Sequence, residues 1–120
     1  MKKLDITWRI FGVYILIILF VLISGNAFSQ IKIAQFNAGW NKANEVPWVM
    51  DLEDCETFAY YDIGKDKEMQ KEHKIAVIPT IIIFKDEVEV ARFQADLSFK
   101  MVATRKEVQE EIDNQLMSDF

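Results

Sequence analysis

A chain of 120 residues has room for one domain and a short extra segment. Its formal charge is −5; without Lys2, Lys3, Arg9 and Asp5, residues 30–120 keep 11 basic and 18 acidic side chains, a balance of −7. Such a surface repels nucleic acid and anionic headgroups, and no basic patch offsets it, so a nucleic-acid partner is not expected. The single cysteine, Cys55, excludes an intramolecular disulfide.

Lys2, Lys3 and Arg9 precede an apolar run from Ile10 to Ile23, and small or polar residues follow through Ser29. That order is the one of a secretory signal peptide, with cleavage expected after Ser29. The run is shorter than the ~20 apolar residues of a spanning helix, and a retained N-terminal anchor is the other reading. Both readings export the remainder, to the periplasm or the outer face of the cytoplasmic membrane, and any membrane contact runs through this segment alone. No cysteine follows the run, which argues against lipid modification. Residues 1–29 are therefore read as signal peptide or anchor and residues 30–120 as the domain.

Ile31–Phe36 alternates loosely and predicts a strand, broken by Asn37-Ala38-Gly39. Lys42 to Leu52 predicts a short helix that starts near Asn44 or kinks there, because Pro47 is poorly tolerated in a helix interior. Thr57–Ile63 is rich in aromatics and predicts a buried strand ended by Gly64. Asp66 to His73 predicts a short polar helix with Asp66 at its N-cap. Thr80–Lys85, with Ile81, Ile82 and Ile83, predicts a fully buried strand. Asp86-Glu87 is a turn, and Glu89–Phe93 alternates as a half-exposed antiparallel partner. Asp96 to Val102 is irregular. Thr104 then caps a closing helix through Leu116; Glu107 completes a capping-box pattern, and Val108, Ile112 and Leu116 form its packing stripe. The order predicts an α/β fold: one parallel crossover unit, a hairpin and a final helix, giving a mixed four-stranded sheet with helices on both faces.

Several segments together resemble the thioredoxin family over residues 31–117. Phe36-Asn37-Ala38-Gly39-Trp40 resembles the strand end leading to the tryptophan before the family's first catalytic cysteine. Asp62-Ile63-Gly64-Lys65 resembles the end of its next core strand, and His73 to Thr80, through Ile78-Pro79-Thr80, resembles its cis-proline loop. The resemblance implies a thioredoxin-like three-layer sandwich and a cis Ile78-Pro79 bond. It also implies that the backbone of Ile78 pairs with an extended peptide, a form of strand addition. The departures lie at the chemistry. The Cys-x-x-Cys positions fall on Asn41 and Asn44, the family's buried acid on Gln35, and its accompanying lysine on Tyr60. Dithiol exchange needs a thiolate to attack and a second thiol to resolve, and asparagine does neither.

The candidate peptide groove is Trp40, Asn41, Asn44, Ile78 and Pro79. For Asn41 and Asn44 two readings stand: polar contacts to a ligand, or satisfaction of amides at a helix start. Cys55 is the one candidate catalytic residue; flanked by Asp54 and Glu56, its thiol is expected to resist ionisation. His73 is expected on an exposed helix end, Trp48 in the core, and no metal-ligand spacing, phosphate loop or other cofactor signature is present. The leading expectation is an exported thioredoxin-like binding or scaffold module without dithiol activity, with a protein or extended peptide as partner. The alternatives are monothiol exchange through Cys55 and a purely structural subunit.

Overall fold

The computed structural model describes residues 30–118, so the leader or anchor expected over residues 1–29 lies outside it. Among the described residues, no helix is long and apolar enough to cross a membrane. Strand β1 (Ile31–Asn37) is followed by two 3-10 segments, Gly39–Asn44 and Pro47–Asp51, and by β2 (Thr57–Asp62). Helix α1 (Lys67–Glu72), the hairpin β3 (Thr80–Lys85) and β4 (Val88–Gln94), and helix α2 (Arg105–Met117) complete the order. The strands form one four-stranded sheet in the order β2-β1-β3-β4. β1 runs parallel to β2 and antiparallel to β3, and β3 pairs antiparallel with β4. This is the expected mixed sheet.

The period of two along β1 and β3 sends side chains to both faces. Ile31, Ile33, Ile81 and Ile83 face one way and pack with Val46, Val49 and Leu52 and with Val108 and Ile112 of α2. Ala34, Phe36 and Ile82 face the other way, toward Ala38, Ile75 and Ile78 and Met69 of α1. The result is three layers. Both helix caps form as read. Asp66 Oδ1 accepts from the Met69 N–H at 3.2 Å, and Thr104 Oγ1 from the Glu107 N–H at 3.2 Å. The capping box read from Glu107 is not completed: its carboxylate accepts from the Thr104 hydroxyl in place of the Thr104 backbone N–H.

Two further expectations are corrected. The helix expected over Lys42–Leu52 is absent; two 3-10 segments stand there, separated by extended backbone at Glu45 and Val46. Pro47 has no N–H to give and pushes the preceding Val46 out of helical space, to φ −88°, ψ 102°. The backbone groups that a helix would pair internally find glutamine side chains instead. Gln35 donates to the Val46 carbonyl at 3.1 Å and accepts its N–H at 2.8 Å. Gln109 of α2 does the same to Glu53, at 3.1 Å and 2.8 Å. The second correction concerns β2, which is half-exposed at a sheet edge and not buried. Its aromatics reflect strand propensity and one-sided packing rather than an interior position.

The hairpin turn is built without glycine or asparagine. Asp86 and Glu87 both have positive φ, 51° and 72°, the requirement of a two-residue turn that follows sheet twist. Asp86 is held there by Gln30: its N–H donates to the Gln30 carbonyl and its Oδ1 accepts the Gln30 N–H, both at 3.0 Å.

Candidate functional site

The first 3-10 segment springs from the end of β1 and carries Trp40, which is 70% exposed. Asn41, next in sequence, is 4% exposed. Its Nδ2 donates to Asn37 Oδ1 at 3.1 Å and to the Phe99 carbonyl at 3.3 Å, and its Oδ1 accepts from Asn44 Nδ2 at 2.8 Å. Asn37 Nδ2 returns a bond to the Asn41 carbonyl at 3.2 Å. Neither asparagine caps the segment, whose cap residue Ala38 makes no side-chain bond. The two positions that the resemblance assigns to cysteines are thus joined by an amide-to-amide hydrogen bond. Asn41 spends its side-chain donors and acceptor on the protein itself.

The Ile78-Pro79 bond is cis, as the resemblance implied. The Pro79 carbonyl accepts from the Ala95 N–H at 3.0 Å, and Thr80 Oγ1 donates to the Val77 carbonyl at 2.6 Å. Ile78 belongs to the same buried cluster as Ala38 and is 3% exposed. Its own backbone N–H and C=O have no hydrogen-bond partner among the described residues. Such groups are nearly always paired in folded proteins, with other protein groups or with water.

A third element was not legible as part of this site: the segment Ala95–Met101, whose ends pair in an isolated bridge. Asp96 Oδ1 accepts from the Ser98 N–H at 2.8 Å, the Ser98 hydroxyl at 2.5 Å and the Lys100 N–H at 3.3 Å. These bonds, that with Ser98 first, hold the Asp96 carboxyl below the usual carboxylate range. The turn presents Leu97, 93% exposed, and Phe99, at φ 64°. Phe99 meets the Trp40 ring edge-to-face, centroids 5.1 Å apart. Ala95 bonds Pro79 and Phe99 bonds Asn41, so this loop links the tryptophan to the proline. The signal available in sequence was Asp96-Leu97-Ser98, a local pattern in which Asp bonds backbone two residues on.

The other candidates lie elsewhere. Cys55 packs against the α2 face of the sheet, away from Ile78. Burial, then Asp54, Asp113 and Glu56, push its thiol up to about 11, and its Sγ–H donates to the Glu53 carbonyl at 3.3 Å. Trp48 packs on the same core. His73 corrects an expectation: it ends α1, but its ring is half-buried between Phe36 and Phe84, with centroids 5.3 and 5.5 Å away. A helix terminus is exposed in sequence logic, yet here it packs onto the sheet. The depression of about 590 Å³ beside it, lined by Lys32, Tyr61, Phe84 and Glu72 among others, holds none of the groove residues.

No family model and no curated protein sequence matches this chain. Solved structures do. Thioredoxin 1 of Thermosipho africanus TCF52B superposes with a TM-score of 0.58 at 21% identity, covering 73% of this chain and 97% of its own. A single-residue mutant of the thioredoxin of Halobacterium salinarum NRC-1 gives 0.59 at 18% identity over 72% and 75%. Fasciola hepatica thioredoxin gives 0.55 at 25% identity over 80% and 89%. The chain has a thioredoxin-like fold. Within that fold, the Ala95–Met101 loop bonds Asn41 through the Phe99 carbonyl, meets Trp40 through the Phe99 ring and bonds Pro79 through Ala95.

Proposed function

We propose that this thioredoxin-like chain is an exported binding module that takes an extended polypeptide on the backbone of Ile78, without dithiol exchange. The observation that carries this reading is the unpaired backbone N–H and C=O of an otherwise buried Ile78. A strand-like peptide supplies the complementary acceptor and donor. Trp40, Leu97 and Phe99 offer apolar surface for its side chains. Asn41 supports the site from within the protein, since its amide is already engaged. The absence of thiols at both positions, and the raised Cys55 pKa, support binding over exchange. The charged, apolar and small-residue order of residues 1–29 supports placement in the cell envelope.

The test is photo-crosslinking in living cells from Leu97, with Glu110 on α2 as the control position. A discrete adduct from position 97 is expected. Its competition by a synthetic peptide of the captured segment, lost when the peptide's main-chain amides are N-methylated, reports backbone pairing. Adducts from Glu110 alone would move the functional surface to α2. Disulfide-reductase turnover by the purified chain would refute the absence of exchange. The mass of the native protein, starting at Met1 or at Gln30, separates anchor from cleaved leader.

A further inference from the structure

The loop that carries Ile78 is strung between two points near one strand. At one end the Pro79 carbonyl accepts from the Ala95 N–H, just past β4. At the other end stands Arg92 of β4. Ala91 and Phe93 pack on the α2 face of the sheet, so by alternation the Arg92 side chain leaves on the α1 face. There its Nη2 donates to the His73 carbonyl at 2.6 Å and its Nη1 to the Lys74 carbonyl at 3.0 Å. Nε and Nη2 also donate to the two carboxylate oxygens of Glu89, at 3.1 and 2.8 Å. The guanidinium is planar and its donors form a fixed fork, so the carboxylate on one side sets the direction of the donors on the other.

The turn that Arg92 grips is built against local preference. Past α1, the Lys74 N–H donates to the Lys71 carbonyl at 3.3 Å and the Ile75 N–H to the Gln70 carbonyl at 2.9 Å. This pair of bonds puts a left-handed residue just beyond the helix end, and glycine usually fills it. Here it is Lys74, at φ 52°. A side chain makes that conformation less favourable, and the two carbonyls that Arg92 takes are those of this turn. Ile75 and Ile78 then enter one buried cluster. The direction in which the chain leaves Lys74 is therefore passed on through Ala76 and Val77 to Ile78.

We propose that Arg92, oriented by Glu89, is a positioning residue for the peptide edge: it fixes the His73-Lys74 turn and thereby the place of the Ile78 backbone. The consequence for binding rests on the reading of Ile78 as a peptide-pairing residue. Lysine at position 92 keeps the charge but presents one ammonium, which lacks the planar fork that spans two carbonyls and a carboxylate.

The test compares the full chain, purified in detergent, with Arg92→Ala and Arg92→Lys. Nitrogen-15 relaxation reads backbone order at Ile78 and, inside the sheet, at Ile33 and Ile83. In both variants the Ile78 order parameter is expected to fall from about 0.85 to below about 0.6, while Ile33 and Ile83 stay rigid. In cells, the adduct from a photo-crosslinker at Leu97 should fall several-fold. Adding Lys74→Gly to Arg92→Ala should restore both readouts, because glycine takes the left-handed turn unaided; no restoration overturns the route through Lys74. Unchanged order at Ile78 overturns the proposal. So does equal loss at all three sites in Arg92→Lys, the milder change, which would make Arg92 a support of the whole sheet. An ordered Ile78 with a lost adduct makes Arg92 a peptide contact instead, and a disordered Ile78 with an undiminished adduct breaks the link to binding. No adduct from the unsubstituted chain counts against the peptide reading alone, since the relaxation result needs no peptide and decides the positioning of Ile78 by itself.

Discussion

At the residue scale, Gln35 and Asn41 are buried amides whose donors and acceptors are spent on the protein itself. Gln35 is the clearest case. A side chain that both donates and accepts is needed to serve both groups of Val46, and an amide offers both at neutral pH. Gln35→Ala strands a buried N–H and C=O and should cost about 2 kcal/mol, within the range for unsatisfied buried groups. Gln109→Ala removes the same pair of bonds from an exposed site, where water replaces them, and should cost less than about 1 kcal/mol. Urea midpoints of the two variants check the ranking; equal losses would mean that the Gln35 clamp is not sealed from water. Gln35→Glu aims a carboxylate at the Val46 carbonyl. Burial raises its folded pKa above the unfolded value. Its best stability should therefore lie below about pH 4.3 and fall away as pH rises.

At the element scale, local patterns named most elements correctly and misread one. The strands, both caps and the stripe on α2 follow from periods and capping residues that act within a few positions. The Lys42–Leu52 segment failed because its apolar positions suit a helix while Pro47 forbids one, and which influence wins is set by whether other parts of the fold can serve the freed backbone. Gln35 and Gln109 do so from β1 and α2. The hairpin turn shows a similar tension. Asp86 is held at φ 51° by its bonds to Gln30, but no side-chain hydrogen bond among the described residues holds Glu87 at φ 72°. Left-handed backbone costs about 1 kcal/mol or more for such a residue. Glu87→Gly should therefore stabilise the domain by about 1 kcal/mol, against the usual sense of a glycine substitution. A lower melting temperature for this variant would show that the Glu87 conformation carries no strain.

At the scale of the whole molecule, the thiol of Cys55 reports tertiary environment. Its sequence neighbours Asp54 and Glu56 were visible from the start, but burial is the larger cause, and Asp113 arrives from α2. Iodoacetamide at pH 8 should modify the folded chain on the order of a hundredfold more slowly than the unfolded chain, because the thiolate is the reactive form. A folded pKa near 11 lies above the ordinary thiol value of about 8.5. The thiol's contribution to stability is thus complete below about pH 8.5 and is lost as pH climbs through about 11. Comparison with Cys55→Ser over that window isolates it; identical pH profiles would place the thiol in water.

The sequence by itself determined the four strands, the two capped helices, the two-faced alternation of β1 and β3 and the presence of a single thiol, each written in neighbouring residues or in identity alone; the cis-proline loop came through the family resemblance. Tertiary structure decided that Asn41 bonds the Phe99 carbonyl, that Ala95–Met101 joins Trp40 to Pro79, that β2 lies at an edge and that Ile78 keeps its backbone unpaired. Periodicity shows which face a residue takes. It does not show which distant backbone group will meet that face, because the partner is chosen when strands register and layers close.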